Sequence, residues 1–488
     1  MSSIPTSGVV RVDELENAAE HAFLSPARWS QGPHDRLPEH GYEVREYVVS
    51  GSGRVYGQGD RRPPEQVGTA AHVTRALVVR PVADAAFSGR VHLELLNPST
   101  GWDFPMYWPD LAPHLLRRGD VYVGVTCKSV TAAALRRALP ARYGDLSIEH
   151  DGVVWDLLAG VAATLRSPEG GGLLAGLRTP ERILATGWSQ SGSFLRTYIS
   201  EGLHELHCRE GGRDVLDAFL IGVSSGGFGP MGYIPVDRHG ETSFDEDLRP
   251  AGDALWQLPM DDARRVVRGS QVPVLELMSQ DEALHHLWHQ RPDSDVHGDL
   301  YRCYQLPGRG HESGLLDEAS RAADHLAATS GGSSPVDDEP PPRHVASSYL
   351  LAAAVEHLWG WTQGVSAPRH DPIAVVASSG SRLDPAGLDF SGVRCLVDDD
   401  GHALGGVRYL ELDLPVARHG HEAGSAATIK TWRTTPFDPD ELCRRHGSMA
   451  ELRRAASARA SRLANAGSYL PEDVVAAVDS YCSAAGEF

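Results

Sequence analysis

The residues best suited to chemistry lie in Ile183-Leu184-Ala185-Thr186-Gly187-Trp188-Ser189-Gln190-Ser191-Gly192. A short apolar run closes on Gly187, a serine follows two residues later, and small residues lead into a helical pattern. That is the sequence form of a nucleophile elbow, a sharp strand-to-helix turn that holds a serine hydroxyl out for attack. The residues two before and two after such a serine crowd neighbouring backbone, so they must be small. Gly187 meets that demand fully, and Ser191 stands one step off the strict glycine pattern. In a chain with 51 glycines a bare motif arises easily, so the partners downstream decide its meaning.

A serine nucleophile needs a general base, and the base needs a carboxylate to fix its tautomer. In elbow proteins they follow in the order serine, acid, histidine, in loops after later core strands. After the apolar run Val272–Met278 come Ser279-Gln280-Asp281-Glu282, and after Leu300–Leu306 come Pro307-Gly308-Arg309-Gly310-His311. His311 is placed to take the proton from Ser189 and return it to the leaving group; the bland alternative is a surface-loop histidine, one of 23. Either Asp281 or Glu282 can serve as the acid. Glu276 sits inside the strand, and the longer reach of a residue further past the strand end favours Glu282.

An oxyanion hole needs two backbone N–H donors. Gln190, directly after the serine, supplies one, and the loop after Val91–Leu96 should supply the other. Pro98 has no N–H, which leaves Ser99 or its neighbours Thr100 and Gly101, with Ser99 the first choice. Trp102, Trp108 and Trp188 are candidates for lining a substrate pocket, although aromatic residues in such places are at least as often core. A rival constellation, His285, His286 and His289, contains an i, i+4 pair but no third ligand at a convincing spacing, and Pro292 ends any helix soon after. No metal site is expected from it. Gly226-Gly227-Phe228-Gly229 is too weak for a nucleotide loop, and neither a Walker A nor a dinucleotide fingerprint is present, so no cofactor is expected.

These side chains need a scaffold. Strand-like runs at Glu46–Val49 and Ala76–Arg80 read as leading antiparallel strands. Beyond them Val91–Leu96, Val121–Thr126, Arg182–Thr186, Ala218–Val223, Val272–Met278 and Leu300–Leu306 alternate with helical patterns at Leu111–Arg117, Val153–Leu165 and Ser191–Ser200. That alternation predicts an α/β chain with a doubly wound, mostly parallel sheet. Residues 1–43 read as an irregular N-terminal extension. The weak pattern over 228–269 suits a lid insertion, or a surface excursion, and the Gly, Ser, Pro and Asp stretch at 329–343 suits a linker or a loop. Helices are expected at Tyr349–Thr362, Met449–Ala464 and Pro471–Tyr481.

Length and composition narrow the function further. A 488-residue chain with 41% hydrophobic and 23% charged residues is globular in type. Its formal charge of -20 argues against nucleic acid or an anionic membrane surface as partner. A small molecule or another protein fits better, and a homo-oligomer stays open. The N-terminus has neither a basic start nor an apolar core, and no apolar run reaches a membrane span; six cysteines lack C-x-x-C spacing. A cytoplasmic location is expected.

Gly187-Trp188-Ser189-Gln190-Ser191-Gly192 resembles the G-W-S-Q-S-G elbow of a bacterial α/β-hydrolase domain family. The likeness extends to Val91–Ser99 (the family's V-V-E-W-L-N-V-S), Gly124-Val125-Thr126, Ala141–Leu146 (its A-R-Y-G-x-L), Ala403–Arg408, Asp413–Ala417 and Leu470–Asp473. It spans most of residues 44–480. The resemblance implies an α/β-hydrolase fold, a mostly parallel central sheet flanked by helices with a lid insertion, in one domain over 44–488. It also implies that 329–343 is a loop. Where the family has an S-E-T-D type loop this chain has Ser279-Gln280-Asp281-Glu282, so the acid carried over by position is Glu282 in place of an aspartate. Pro98 and Thr100 depart from the family's oxyanion loop. The expected activity is that of a serine hydrolase cleaving a small-molecule ester or lactone through an acyl-enzyme. An acyltransferase or thioesterase would use the same residues, and a catalytically silent binding protein is the alternative from another class.

Overall fold

Strands β1 (Gly8–Leu15), β2 (Tyr42–Tyr56) and β3 (Gln66–Pro81) are successive antiparallel neighbours in the computed structural model. It describes residues 8–18, 33–57, 61–99, 103–167, 172–212, 214–224, 262–280, 282–287, 289–311, 345–381, 391–421, 432–486 and 488. These form two compact units. One holds the described residues up to Val274 together with Val296–Leu300; the other holds Leu275–Asp295, Tyr301 to His311 and the described residues from 345 onward.

The first unit continues with β4 (Arg90–Leu95), β5 (Val121–Val125), β6 (Ser147–Ile148), β7 (Arg182–Trp188) and β8 (Ala218–Gly222). Their order is β1-β2-β3-β5-β4-β7-β8, with β6 beside β3. Pairing is parallel for β4 with β5, β4 with β7, and β7 with β8. Helices α1 (Trp108–Arg118), α2 (Ser129–Ala138), α3 (Val154–Leu165), α4 (Gln190–Ser200) and α5 (Leu203–Gly211) make the crossovers that parallel neighbours require. All five residues of β5 and of β8 are buried, as expected of near-continuous apolar strands covered on both faces. The parallel run β5-β4-β7-β8, flanked by helices, is the central sheet of the expected fold.

The N-terminal segment is more ordered than its sequence suggests. Gly8–Leu15 pairs with β2 from Gly8↔Ser52 to Leu15↔Glu46. Its Val9, Val12 and Leu15 are only half-buried and its Arg11 and Glu14 are exposed, so the strand draws its order largely from the partner edge. The leading strands also run far beyond the short apolar runs that announce them, because one continuous β2–β3 ladder pairs Tyr42↔Pro81 through Tyr56↔Gln66.

A buried ionic cluster ties these strands to later segments of the chain. The Arg75 guanidinium meets Glu46 at 2.5 Å, with both side chains 1% exposed or less. Tyr143 Oη donates to Glu46 Oε1 at 2.8 Å, Arg142 Nε donates to Oε2 at 2.7 Å, and Arg75 Nη1 reaches Asp103 at 3.2 Å.

Strands β9 (Val274–Ser279), β10 (Ser294–Val296) and β11 (Asp299–Leu306), most of whose residues belong to the second unit, lie side by side, β11 between the other two. Helices α6 (Val345–Trp361), α7 (Met449–Asn465) and α8 (Val474–Ala485) follow, with α8 packed on both α6 and α7. Of the span 228–269 expected as a lid, 262–269 are described and contain a single turn, Ala263–Arg265. The remainder, and residues 329–343, lie outside the described residues. Among the described residues no helix is long and apolar enough to cross a membrane.

Candidate active site

The strand-to-helix junction falls on Ser189, between β7 and α4. Its backbone sits at φ 52° and ψ −117°, a region that costs a non-glycine residue roughly 1–3 kcal/mol. The turn is held from several sides. Ser189 N–H donates to Gly222 O at 2.9 Å. A Cβ at Gly187 would lie 2.6 Å from Ser191 O, and one at Gly192 would lie 2.8 Å from Ser224 Cβ, so both glycines are sterically required. Ser191 is fully buried, and its Oγ accepts from Trp188 N–H at 3.0 Å and donates to Trp188 O at 3.1 Å. The departure from glycine at 191 is therefore a hydrogen-bonded staple across the elbow.

Asn97, which sequence reasoning passed over, ties this turn to the loop after β4. Its Nδ2 donates to Trp188 O at 2.6 Å, and its Oδ1 accepts from Ser99 N–H at 2.8 Å. Ser99 N–H, the expected second oxyanion donor, is thus engaged by an asparagine that closes its own turn, a habit of that side chain. The signal was a polar residue ending an apolar strand just before Pro98. Further along, Asp103 accepts from Thr126 Oγ1, and Tyr107 N–H donates to Glu94 Oε1 at 2.9 Å, pinning the loop's far end. Glu94 is fully buried on β4, and burial pushes its carboxyl up to about 8 despite hydrogen bonds from Tyr122 Oη and Tyr107 N–H. Thr100, Gly101 and Trp102 lie outside the described residues.

The other two tryptophans sit in the packed interior of the first unit. Trp108, at 1% exposed, opens α1 with its ring 5.1 Å from that of Tyr122. Trp188, at 5%, lies against Gly222, where a Cβ would overlap its ring, and its Nε1 donates to Thr186 Oγ1 at 3.1 Å. Gln190 is the first residue of α4, so its N–H belongs to the turn that has no intrahelical acceptor.

In the second unit the structure brings Glu282 and His311 together. His311 Nδ1 and Glu282 Oε1 are 3.0 Å apart. Glu282 Oε2 accepts from Ser279 N–H at 3.1 Å and from Ser279 Oγ at 2.6 Å, so the carboxylate is fixed at both oxygens. Burial alone would raise its pKa; the His311 charge and hydrogen bond, with those of Ser279, outweigh it and bring the group to about 2. A carboxylate accepting at Nδ1 assigns the proton there and the basic lone pair to Nε2. Asp281 lies outside the described residues. Nearby, His286 Nε2 faces Cys303 Sγ at 3.4 Å, and among the described residues no group of histidine, cysteine and carboxylate side chains is arranged to hold a metal.

Ser189 belongs to the first unit and the Glu282–His311 pair to the second. The first supplies a strained serine beside a helix N-terminus; the second supplies an oriented imidazole with an ionised partner. Among curated proteins none matches the chain. Solved structures similar to it include esterase Est22, 13% identical over 61% of this chain and 83% of that one at a TM-score of 0.32. A dienelactone hydrolase from Anabaena variabilis is 15% identical over 58% of this chain and 97% of that one at 0.29. A bacterial heroin esterase is 14% identical over 59% and 84% at 0.29. Residues 11–479 match the α/β-hydrolase domain family along nearly the whole chain, and the protein belongs to that family.

Proposed function

We propose that this α/β hydrolase cleaves a carboxylic ester or lactone of a small molecule through an acyl-enzyme. Ser189 Oγ attacks the carbonyl carbon as its proton passes to His311 Nε2. The imidazolium, held by Glu282, then protonates the leaving oxygen. Water enters, gives its proton to His311, and releases the acid and Ser189. Gln190 N–H takes the developing oxyanion, with the N–H of Ser99, Thr100 or Gly101 as the second donor. Because Ser99 N–H is already bonded to Asn97, Ser99 acts in this role only by sharing its hydrogen.

The observation that carries the reading is Ser189 itself, an L-residue held at positive φ where a strand meets a helix. Strain of that kind survives only where the surroundings enforce it, and it clusters at reacting centres. The Glu282–His311 pair supports the reading by supplying the base in its required tautomer. The test is labelling by a fluorophosphonate probe. Wild type should label at one site, and Ser189→Ala and His311→Ala should not; equal labelling of Ser189→Ala sinks the proposal.

A further inference from the structure

Gln280 joins three loops around the acid and the base. Its Oε1 accepts from Gly308 N–H at 2.7 Å and from Ala403 N–H at 3.0 Å. Its Nε2 faces Gly401 O at 3.4 Å, and its own N–H donates to Arg309 O at 2.7 Å. The first loop carries Glu282, the second carries His311, and the third lies more than a hundred residues further along the chain. All belong to one unit.

We propose that Gln280 is a positioning residue for the Glu282–His311 pair, and that the 401–409 segment is the platform on which the histidine loop is set. This rests on the triad proposed for Ser189, His311 and Glu282. A loop bearing a general base has no ladder to fix it, so its geometry depends on what its backbone amides and carbonyls bond to. On the strand side of His311, Gly308 N–H and Arg309 O both go to Gln280. The platform also grips this loop and the end of the strand that leads into it. Val407 N–H donates to Gln305 O at 2.8 Å, and Tyr409 Oη donates to Pro307 O. Gly406 lies so close that a Cβ there would be 2.6 Å from the Pro307 ring. On the acid side, Ala283 packs with Ile373 and Ala403 in one buried cluster, so the residue after Glu282 rests on the same platform. An amide side chain offering one oxygen to two N–H groups suits this junction, since an apolar substitute would leave both donors without an acceptor.

The experiment compares fluorophosphonate labelling and p-nitrophenyl butyrate hydrolysis for wild type, Gln280→Met and Gln280→Glu. The labelling endpoint counts competent molecules, so the rate per competent molecule is insensitive to partial unfolding. Gln280→Met, similar in volume but unable to accept, should reach the wild-type endpoint roughly 10- to 100-fold more slowly. Its kcat should fall by a similar factor, with KM within about twofold. Gln280→Glu, whose carboxylate still accepts from both N–H groups although its second oxygen faces Gly401 O, should label clearly faster than Gln280→Met. A Met variant that labels at the wild-type rate overturns the proposal, and so does a Glu variant as slow as the Met variant. Should the Met variant fail to fold, Gln280→Asn, one methylene too short to span both amides, must show the slow labelling; a wild-type rate there overturns the proposal equally. Wild type that does not label removes the serine-hydrolase reading itself, whereas the other overturning outcomes remove only the role of Gln280.

Discussion

In the proposed mechanism Glu282 carries the charge that orients His311, and its surroundings show how a glutamate fits that place. The extra methylene is taken up by a tight return onto Ser279, whose N–H and hydroxyl both bond Oε2 and leave Oε1 for the imidazole. With its pKa near 2 the group stays ionised through the whole usable assay range. Glu282→Gln keeps the shape but offers the imidazole an amide in place of a carboxylate, so kcat should fall by about 10²- to 10⁴-fold with p-nitrophenyl esters. Asp281→Asn, measured beside it, should cost less than about threefold, because one carboxylate suffices to orient the imidazole. The reverse pattern would reassign the acid.

At the scale of elements, the elbow is built by three segments of the first unit acting on one turn. β7 brings Trp188, α4 brings Ser191, and the end of β4 brings Asn97, all three meeting at the Trp188 backbone. β8 lends the surface on which the Trp188 ring lies, which is why Gly222 carries no side chain. Gly222→Ala should destabilise the protein by roughly 1–3 kcal/mol through overpacking, read as a lower urea midpoint. It should also slow fluorophosphonate labelling, because the indole can move only by shifting the residue adjoining Ser189. An Ala variant with unchanged midpoint and labelling rate would show that the ring relocates without effect on the turn.

At the scale of the whole molecule, charge is distributed in two regimes. The chain as a whole carries -20, and among the described residues the interior holds fully enclosed ions matched one to another. The Arg75–Glu46 pair is the strongest case, since Glu46 also receives Arg142 and Tyr143, and Arg75 also reaches Asp103 on the loop that leads from β4 to α1. Removing one partner of such a pair leaves a buried charge uncompensated. Glu46→Gln should therefore cost roughly 3–5 kcal/mol in chemical denaturation, far more than an exposed pair such as Arg11 with Asp13. A loss comparable to that of an exposed pair would mean that the cluster is not a source of stability.

The alternation of core strands with helices was legible in the sequence, and so were Ser189, His311 and two acids as candidates, because all of these rest on local signals. Apolar runs, a small-residue turn and a strand end followed by a loop leave their mark within a few residues. Strand β1 was not legible, since its order comes from pairing with β2 and its apolar residues are interrupted by Arg11, Asp13 and Glu14. Nor were the loads on Asn97, Ser191 and Gln280, each of which looks like an ordinary polar residue until the chain segment it bonds is folded beside it. The same holds for Trp108 and Trp188, whose burial is a property of what packs on them. The sequence by itself determined the chemistry available and its chain order. Only the tertiary structure decided that Glu282 meets His311, that Ser99 N–H is already engaged, and that a segment near residue 403 sets the histidine loop, because each depends on contacts that local sequence signals do not encode.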